Sequence, residues 1–331
     1  MNQKAPIIGT VFAVVMILSG CSDRSDLPAL SDLYLGQNPP GDTACVFAKG
    51  IVSTIHHEHS RVTFSKDATE LFWAVIPIDT DYQETGGSIF KLDDQIIWFS
   101  TFNNDGWTKP DLFQFTRETG GSTPALSADG KTFYYRSAKP NADPNVRPRP
   151  SQLWKVTRSG KQWGEPVHED NLIPDEEGKT FMSFCFADNG NLYFDYGWPD
   201  ESGEWWWYVY FSEYENGGYS EAVRMGSGIN DSEASWCPWI APDESYIIYS
   251  SHREGEFGRG DLYINFKGDD GAWSEPVNMG PAVNSEMQER FPSVSPDGKY
   301  LFFARHVPET FSDIYWVDAR VIGELKRAVL E

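Results

Sequence analysis

Short apolar runs recur along the chain, each introduced by a polar turn. Near the C-terminus Phe291, Ser293 and Ser295 alternate with Pro292, Val294 and Pro296, and Tyr300-Leu301-Phe302-Phe303 follows the segment Ser295-Pro296-Asp297-Gly298. Proline suits the second position of a type I turn, and glycine the fourth, where a positive φ is often required. Two apolar stretches joined by such a turn predict an antiparallel hairpin. A lone hairpin is marginal in water, so partners are expected.

Copies are found upstream. Val62 to Asp67 leads into Leu71-Phe72-Trp73, Pro124 to Gly130 into Phe133-Tyr134-Tyr135, Phe184 to Gly190 into Leu192-Tyr193-Phe194, and Pro238 to Asp243 into Tyr246 to Tyr249. The aspartates Asp67, Asp129, Asp188, Asp243 and Asp297 are spaced by 62, 59, 55 and 54 residues. Between them lies a second signature, a glycine turn followed by an aromatic: Gly106-Trp107, Gly160 with Trp163, Gly218-Tyr219, and Gly271 with Trp273. Each unit therefore reads inner strand, Ser-Pro-Asp-Gly-like turn, second strand, variable loop, third strand, glycine turn, outer strand. Four short strands repeated in series predict an all-β fold, a β-propeller of five four-stranded blades. A sixth blade, using Ser88 to Leu92, is the alternative.

The last unit ends after its third strand, Ile314 to Val317. Gly226 and Gly280 each precede the next aspartate by 17 residues, and Gly50 precedes Asp67 by the same interval. Cys45 to Ile51 therefore reads as an outer strand without its own unit. Docked beside Val317, it would close the ring. Val321 to Glu331 reads as a short terminal helix.

The first 21 residues have the look of a targeting segment: Lys4, an apolar run from Pro6 to Leu18, then Leu18-Ser19-Gly20-Cys21. The run is short for a membrane span. The domain reading is a signal peptide at 1–20, a tether at 21–40 carrying Pro39-Pro40-Gly41, a propeller at 41–325 and a tail at 326–331. The full chain carries a net charge of −22, and such a balance disfavours nucleic-acid binding, which needs clustered lysine and arginine. Aromatic residues make up 15% of the chain, which suits sheets packed face to face. Cys185 and Cys237 fall on inner strands and are expected to be buried core residues.

Together FPSVSPDGKYLFFA, WIAPDESYIIYSSHR, GRGDLYINFKGDDGAWSEPVNMGPAVNS, EHSRVTFSKDATELFWA and DIYWVDARVI resemble the WD40-like, TolB-type repeat (PD40) of exported bacterial proteins. The resemblance covers about residues 33 to 325. It implies a propeller and says little of activity, since such proteins include envelope interaction proteins and related propellers include peptidase parts and sugar lyases. Ala68 and Glu244 stand where the repeat has glycine. TolB's separate N-terminal domain has no room here, and no Gly-x-Ser-x-Gly elbow follows the repeats. Leu18 to Cys21 resembles the lipobox of bacterial lipoproteins. That implies lipidation at Cys21, and Ser22 after it implies an outer-membrane address facing the periplasm.

The regular turns share one face of the predicted ring. The loops between second and third strands share the other with the lead-ins to the inner strands. Loops on a rigid scaffold are where binding usually resides. On that face fall Glu58, His59 and Arg61 at blade one, Glu233, His252 and Arg253 at blade four, and Gln288, Glu289, Arg290, Arg305 and His306 at blade five. With His56 and His57, five of the six histidines lie there. This predicts a pocket at the channel mouth between blades four, five and one for a polar or anionic ligand. His56, His57 and His59 are the candidates for a divalent metal, although strand neighbours point to opposite sides; otherwise no cofactor is implied. Trp205-Trp206-Trp207 are expected to pack blades together rather than to stack on sugars. Arg259-Gly260-Asp261 is expected to belong to the turn before a third strand rather than to mediate adhesion.

The reading is a lipid-anchored, non-catalytic envelope module that binds a protein, peptide or glycan and touches the membrane through Cys21. The alternative is an enzyme, a lyase or hydrolase acting on an acidic sugar through a His/Arg/Glu site.

Overall fold

A computed structural model describes residues 33–77, 95–117, 120–137, 151–169, 172–174, 176–226, 228–230, 234–253, 255–307 and 311–330. The repeated hairpins fold as predicted, into antiparallel sheets arranged as the five blades of a propeller, with one further two-stranded ribbon at Tyr214–Glu215 and Gly218–Tyr219. In blade four, Ala234–Ile240, Tyr246–His252, Asp261–Phe266 and Val277–Asn278 succeed one another from the inner to the outer edge. Blades one, two and three repeat the order around second strands Glu70–Ile76, Thr132–Ser137 and Leu192–Pro199. Blade one pairs Glu70–Ile76 directly with Ile96–Asn103. Ser88 to Leu92 lies outside the described residues.

Blade five takes three strands from the C-terminal unit, Gln288–Val294, Tyr300–Val307 and Phe311–Asp318, and its outer strand from the N-terminal side. Cys45 pairs with Trp316 and Val46 with Tyr315; the Phe47 amide then donates to the Ile314 carbonyl at 2.7 Å. The closing strand is shorter than expected, because the chain turns at Ala48 and Gly50, both at positive φ. Packing also begins earlier than the tether reading allows. Tyr34 and Leu35 are buried, and the Tyr34 hydroxyl donates to Asp297 at 2.7 Å. The terminal helix runs Arg320–Leu330, so the predicted tail is the end of one helix, seated through Ile322.

The Ser-x-Asp turns carry a recurring lock. Ser295 Oγ donates to Asp297 and receives the Tyr300 amide; Ser65 and Ser127 do the same in blades one and two. Ala68 and Glu244, which replace glycine, still adopt positive φ, 56° and 58°. Glu244 has a second role there, accepting from Tyr193, Asn191 and Asn189 of blade three.

Hydrogen bonds link each blade to the next around the axis. Thr63 donates to Pro124 O, Thr123 to Met182 O, Cys185 Sγ to Pro238 O, Ser250 to Glu289 O and Ser293 to Val62 O. Cys185 and Cys237 are buried free thiols. Asp261 of Arg259-Gly260-Asp261 has no exposure and accepts from Asn278 at 2.6 Å, inside blade four.

Candidate functional site

Three inner strands bulge as they approach the axis: the register slips between Ser122 and Ala125, Trp236 and Trp239, and Arg290 and Ser293. At each slip one residue, Thr123, Cys237 or Phe291, takes a positive φ, and each is followed by proline. An inserted residue re-aims the side chains beside it. In blades four and five these are Trp236 and Arg290.

Both help line a cleft of about 260 Å³ at the channel mouth, together with Trp205, Trp207, His252 and Gln288. The cleft draws on the start of a third strand, the end of a second strand and two inner-strand lead-ins, all from the predicted variable face. The opposite mouth is a separate cavity of about 310 Å³ lined by the regular turns.

Arg290 is the distinctive group. Burial is the leading influence on its guanidinium and lowers its pKa. Among the described residues no carboxylate or other acceptor pairs with it. Its guanidinium carbon lies 5.9 Å from the Phe291 ring centroid. Arg290 is half-buried, and a cation partly withdrawn from water without a counter-charge is costly, so this placement is unusual in so acidic a chain.

Three imidazoles gather within reach of the charge of Arg290. His57 and His59 stack at 5.1 Å between ring centroids, and His57 meets His306 edge-on at 5.4 Å. His57 Nδ1 accepts the Ser312 amide at 2.9 Å, and the Gln95 amide sits 3.3 Å from His59 Nδ1. Burial, then the charge of Arg290, drives the pKa of His57 down to about 3 and those of His59 and His306 downward. These rings stay neutral at physiological pH. Among the described residues no three His, Cys, Asp or Glu side chains are disposed to hold a metal ion.

Other predicted site residues hold the fold together. Arg61 reaches across the channel, donating to Ser183, the Phe184 carbonyl and the Pro238 carbonyl at 2.5, 3.0 and 2.6 Å. Arg305 pairs with buried Glu289 at 2.7 Å and donates to Val283 O. Arg253 donates to the carbonyls of Gly228 and Ile229. Glu58 turns away from its histidine neighbours to accept from Thr54. Glu233 lies outside the described residues. His252 sits 3.4 Å from Glu256, with its ring 5.0 Å from that of Trp236. Of the predicted set, His252, Gln288 and Arg290 line the cleft, which lies one blade further round than expected, between blades three, four and five.

The tryptophans divide: Trp207 packs against the core as expected, whereas Trp205 departs from the sequence reading. Trp205 is 44% exposed, and Trp205 and Trp207 stack with ring centroids 5.5 Å apart and planes 20° apart. Alternation along one strand puts both on one side. The Trp-Trp-Trp run was the available signal, but only the fold shows that this strand start lies at the channel mouth rather than between blades.

No protein-family model and no curated protein matches the sequence. Among solved structures, the chain is similar to TolB from Acinetobacter baumannii, with 12% identity over 77% of this chain and 53% of that one and a TM-score of 0.42. It is similar to a protein of unknown function from Dyadobacter fermentans, with 14% identity over 84% and 83% and a TM-score of 0.48. It is also similar to a Hadza microbial sialidase, with 14% identity over 76% and 53% and a TM-score of 0.40. The chain spans about half the length of the TolB and sialidase chains. A fold by itself does not set function, which is left to the site.

Proposed function

We propose that this chain is a non-catalytic binding module of the bacterial cell envelope, engaging a peptide, protein or glycan through the cleft between blades three, four and five. The observation that carries the reading is Arg290, a cation without a partner among the described residues, set beside a partly exposed aromatic wall. Convergent polar groups in an aromatic-lined concavity are the usual features of a ligand site.

The enzyme alternative finds less support. Acid–base chemistry needs groups that exchange protons near the working pH, and hydrolysis of a glycosidic bond typically needs two carboxyl groups. Among the described lining residues only Glu204 is a carboxylate. The nearby Glu58 and Glu289 are engaged by Thr54 and by Arg305 with Ser285. Binding of envelope glycan fragments, peptides and soluble envelope proteins, measured by calorimetry, should fall in Trp205→Ala and Arg290→Gln while both variants keep the wild-type melting profile. Equal binding by all three proteins would place the ligand elsewhere.

Anchoring through Cys21 belongs to the same proposal and is supported by the leader-like segment before it. A thioether-linked lipid and a disulfide cannot share one sulfur. Mass spectrometry of the Cys21 peptide from bacterial membranes is expected to show a lipid adduct absent from Cys21→Ser. A Cys21–Cys45 disulfide would overturn the anchor.

A further inference from the structure

We infer that the cleft takes a carboxylated saccharide, one sugar carboxylate on Arg290 and the ring laid against Trp205. This rests on the binding-module reading and narrows its ligand.

The charge count sets the anion. Arg290 has no partner among the described residues, and its planar fork matches the two oxygens of a carboxylate. The three neighbouring imidazoles are held neutral by burial and by Arg290 itself. They supply no second positive charge, so the site suits a monoanion better than a phosphate dianion. Glu204 on the rim adds a negative charge, which also weighs against a dianion.

The walls set the rest of the ligand. A Cβ on Gly197 would lie 2.5 Å from the Trp207 ring, and one on Gly260 would lie 3.0 Å from Trp236. Both indoles therefore lie on bare backbone, each fixed by the absence of a side chain. Asp200 clamps the hairpin that presents Trp205 and Trp207, accepting from the amides of Ser202 and Glu204 and from the Trp206 indole at 3.0 Å. The aromatic face is thus preorganised, which reduces the entropy lost on binding. A flat, rigid indole face partly open to solvent suits the C–H face of a pyranose. Gln288 and His252 beside it can meet hydroxyl groups. At about 260 Å³ the cleft matches one ring, since pockets for larger ligands run from roughly 300 to 1,000 Å³.

Calorimetry with the whole protein would use galacturonate oligosaccharides, their methyl esters, neutral galactose oligosaccharides, galactose 6-phosphate and a peptide with a free C-terminal carboxylate. The uronate oligosaccharide is expected to bind at least tenfold tighter than its ester or the neutral sugar. Arg290→Gln should weaken it by about 10- to 100-fold, the range of a charged hydrogen-bonded contact. Trp205→Ala, at an exposed position that folding tolerates, should weaken it by about 3- to 10-fold. Neutral sugar bound as tightly as uronate would overturn the carboxylate assignment and leave the binding module standing. Preference for the phosphate or the peptide would do the same. Failure of every probe, with no ligand sensitive to Trp205→Ala, would sink the binding module itself.

Discussion

Glu58 has no exposure, and burial pushes its pKa up to about 8 despite the two donors from Thr54 that favour the ionised form. In the unfolded chain its carboxyl returns to the ordinary value. Between about pH 4.5 and 8 the folded state therefore binds more protons, and stability falls as pH rises. Its contribution is fully present below the unfolded pKa and is lost through the folded one. Chemical denaturation across this window should show a decline on the order of a few kcal/mol, flattened in Glu58→Gln. An unchanged slope in that variant would mean that another group titrates. His57 acts in the opposite direction. Its folded pKa is driven down to about 3, so the stability it contributes is present above pH 6.5 and drains away as pH falls toward 3.

Between elements, one device recurs that the strand pattern does not announce. Thirteen residues before an aspartate, a polar side chain grips the third strand of the preceding blade. Asn284 accepts the Leu262 amide and donates to the Leu262 carbonyl. Asn230 does the same at Val209, and Thr116 accepts the Ile97 amide. Ser53, displaced by one residue, exchanges hydrogen bonds with Ile314. Asn284→Ala strips partners from buried backbone groups and should cost about 1–3 kcal/mol in urea denaturation. A loss below about 0.5 kcal/mol would show that water replaces the amide.

At the scale of the molecule, the ring is completed without a covalent join. Phe47 is fully buried and packs at 5.0 Å, centroid to centroid, on both Phe302 and Trp316. It brings N-terminal sequence into the core of the last blade. Phe47→Ala should cost about 3–5 kcal/mol and raise amide exchange first along Phe311–Asp318. Protection lost evenly over all five blades would instead indicate that the ring opens only with global unfolding.

Much of this architecture is legible from residues alone. The Asp67-to-Asp297 spacing, the aromatic runs and the glycine turns are local signals, and a strand pattern needs only neighbours two residues away. Even the closing strand near Cys45 is readable, because Gly50 keeps the interval of Gly226 and Gly280. The site is a different kind of object. Arg61, Arg290 and Arg305 look alike in sequence, yet one bolts the channel, one faces the cleft and one neutralises Glu289. Which role each takes depends on what distant blades bring within a few ångströms, as Ser183 and Pro238 do for Arg61. The sequence by itself determined the repeat, the turn chemistry and the face that varies. Only the tertiary structure decided that Arg290 has no partner among the described residues, because pairing is a property of three-dimensional neighbours and not of the order of residues along the chain.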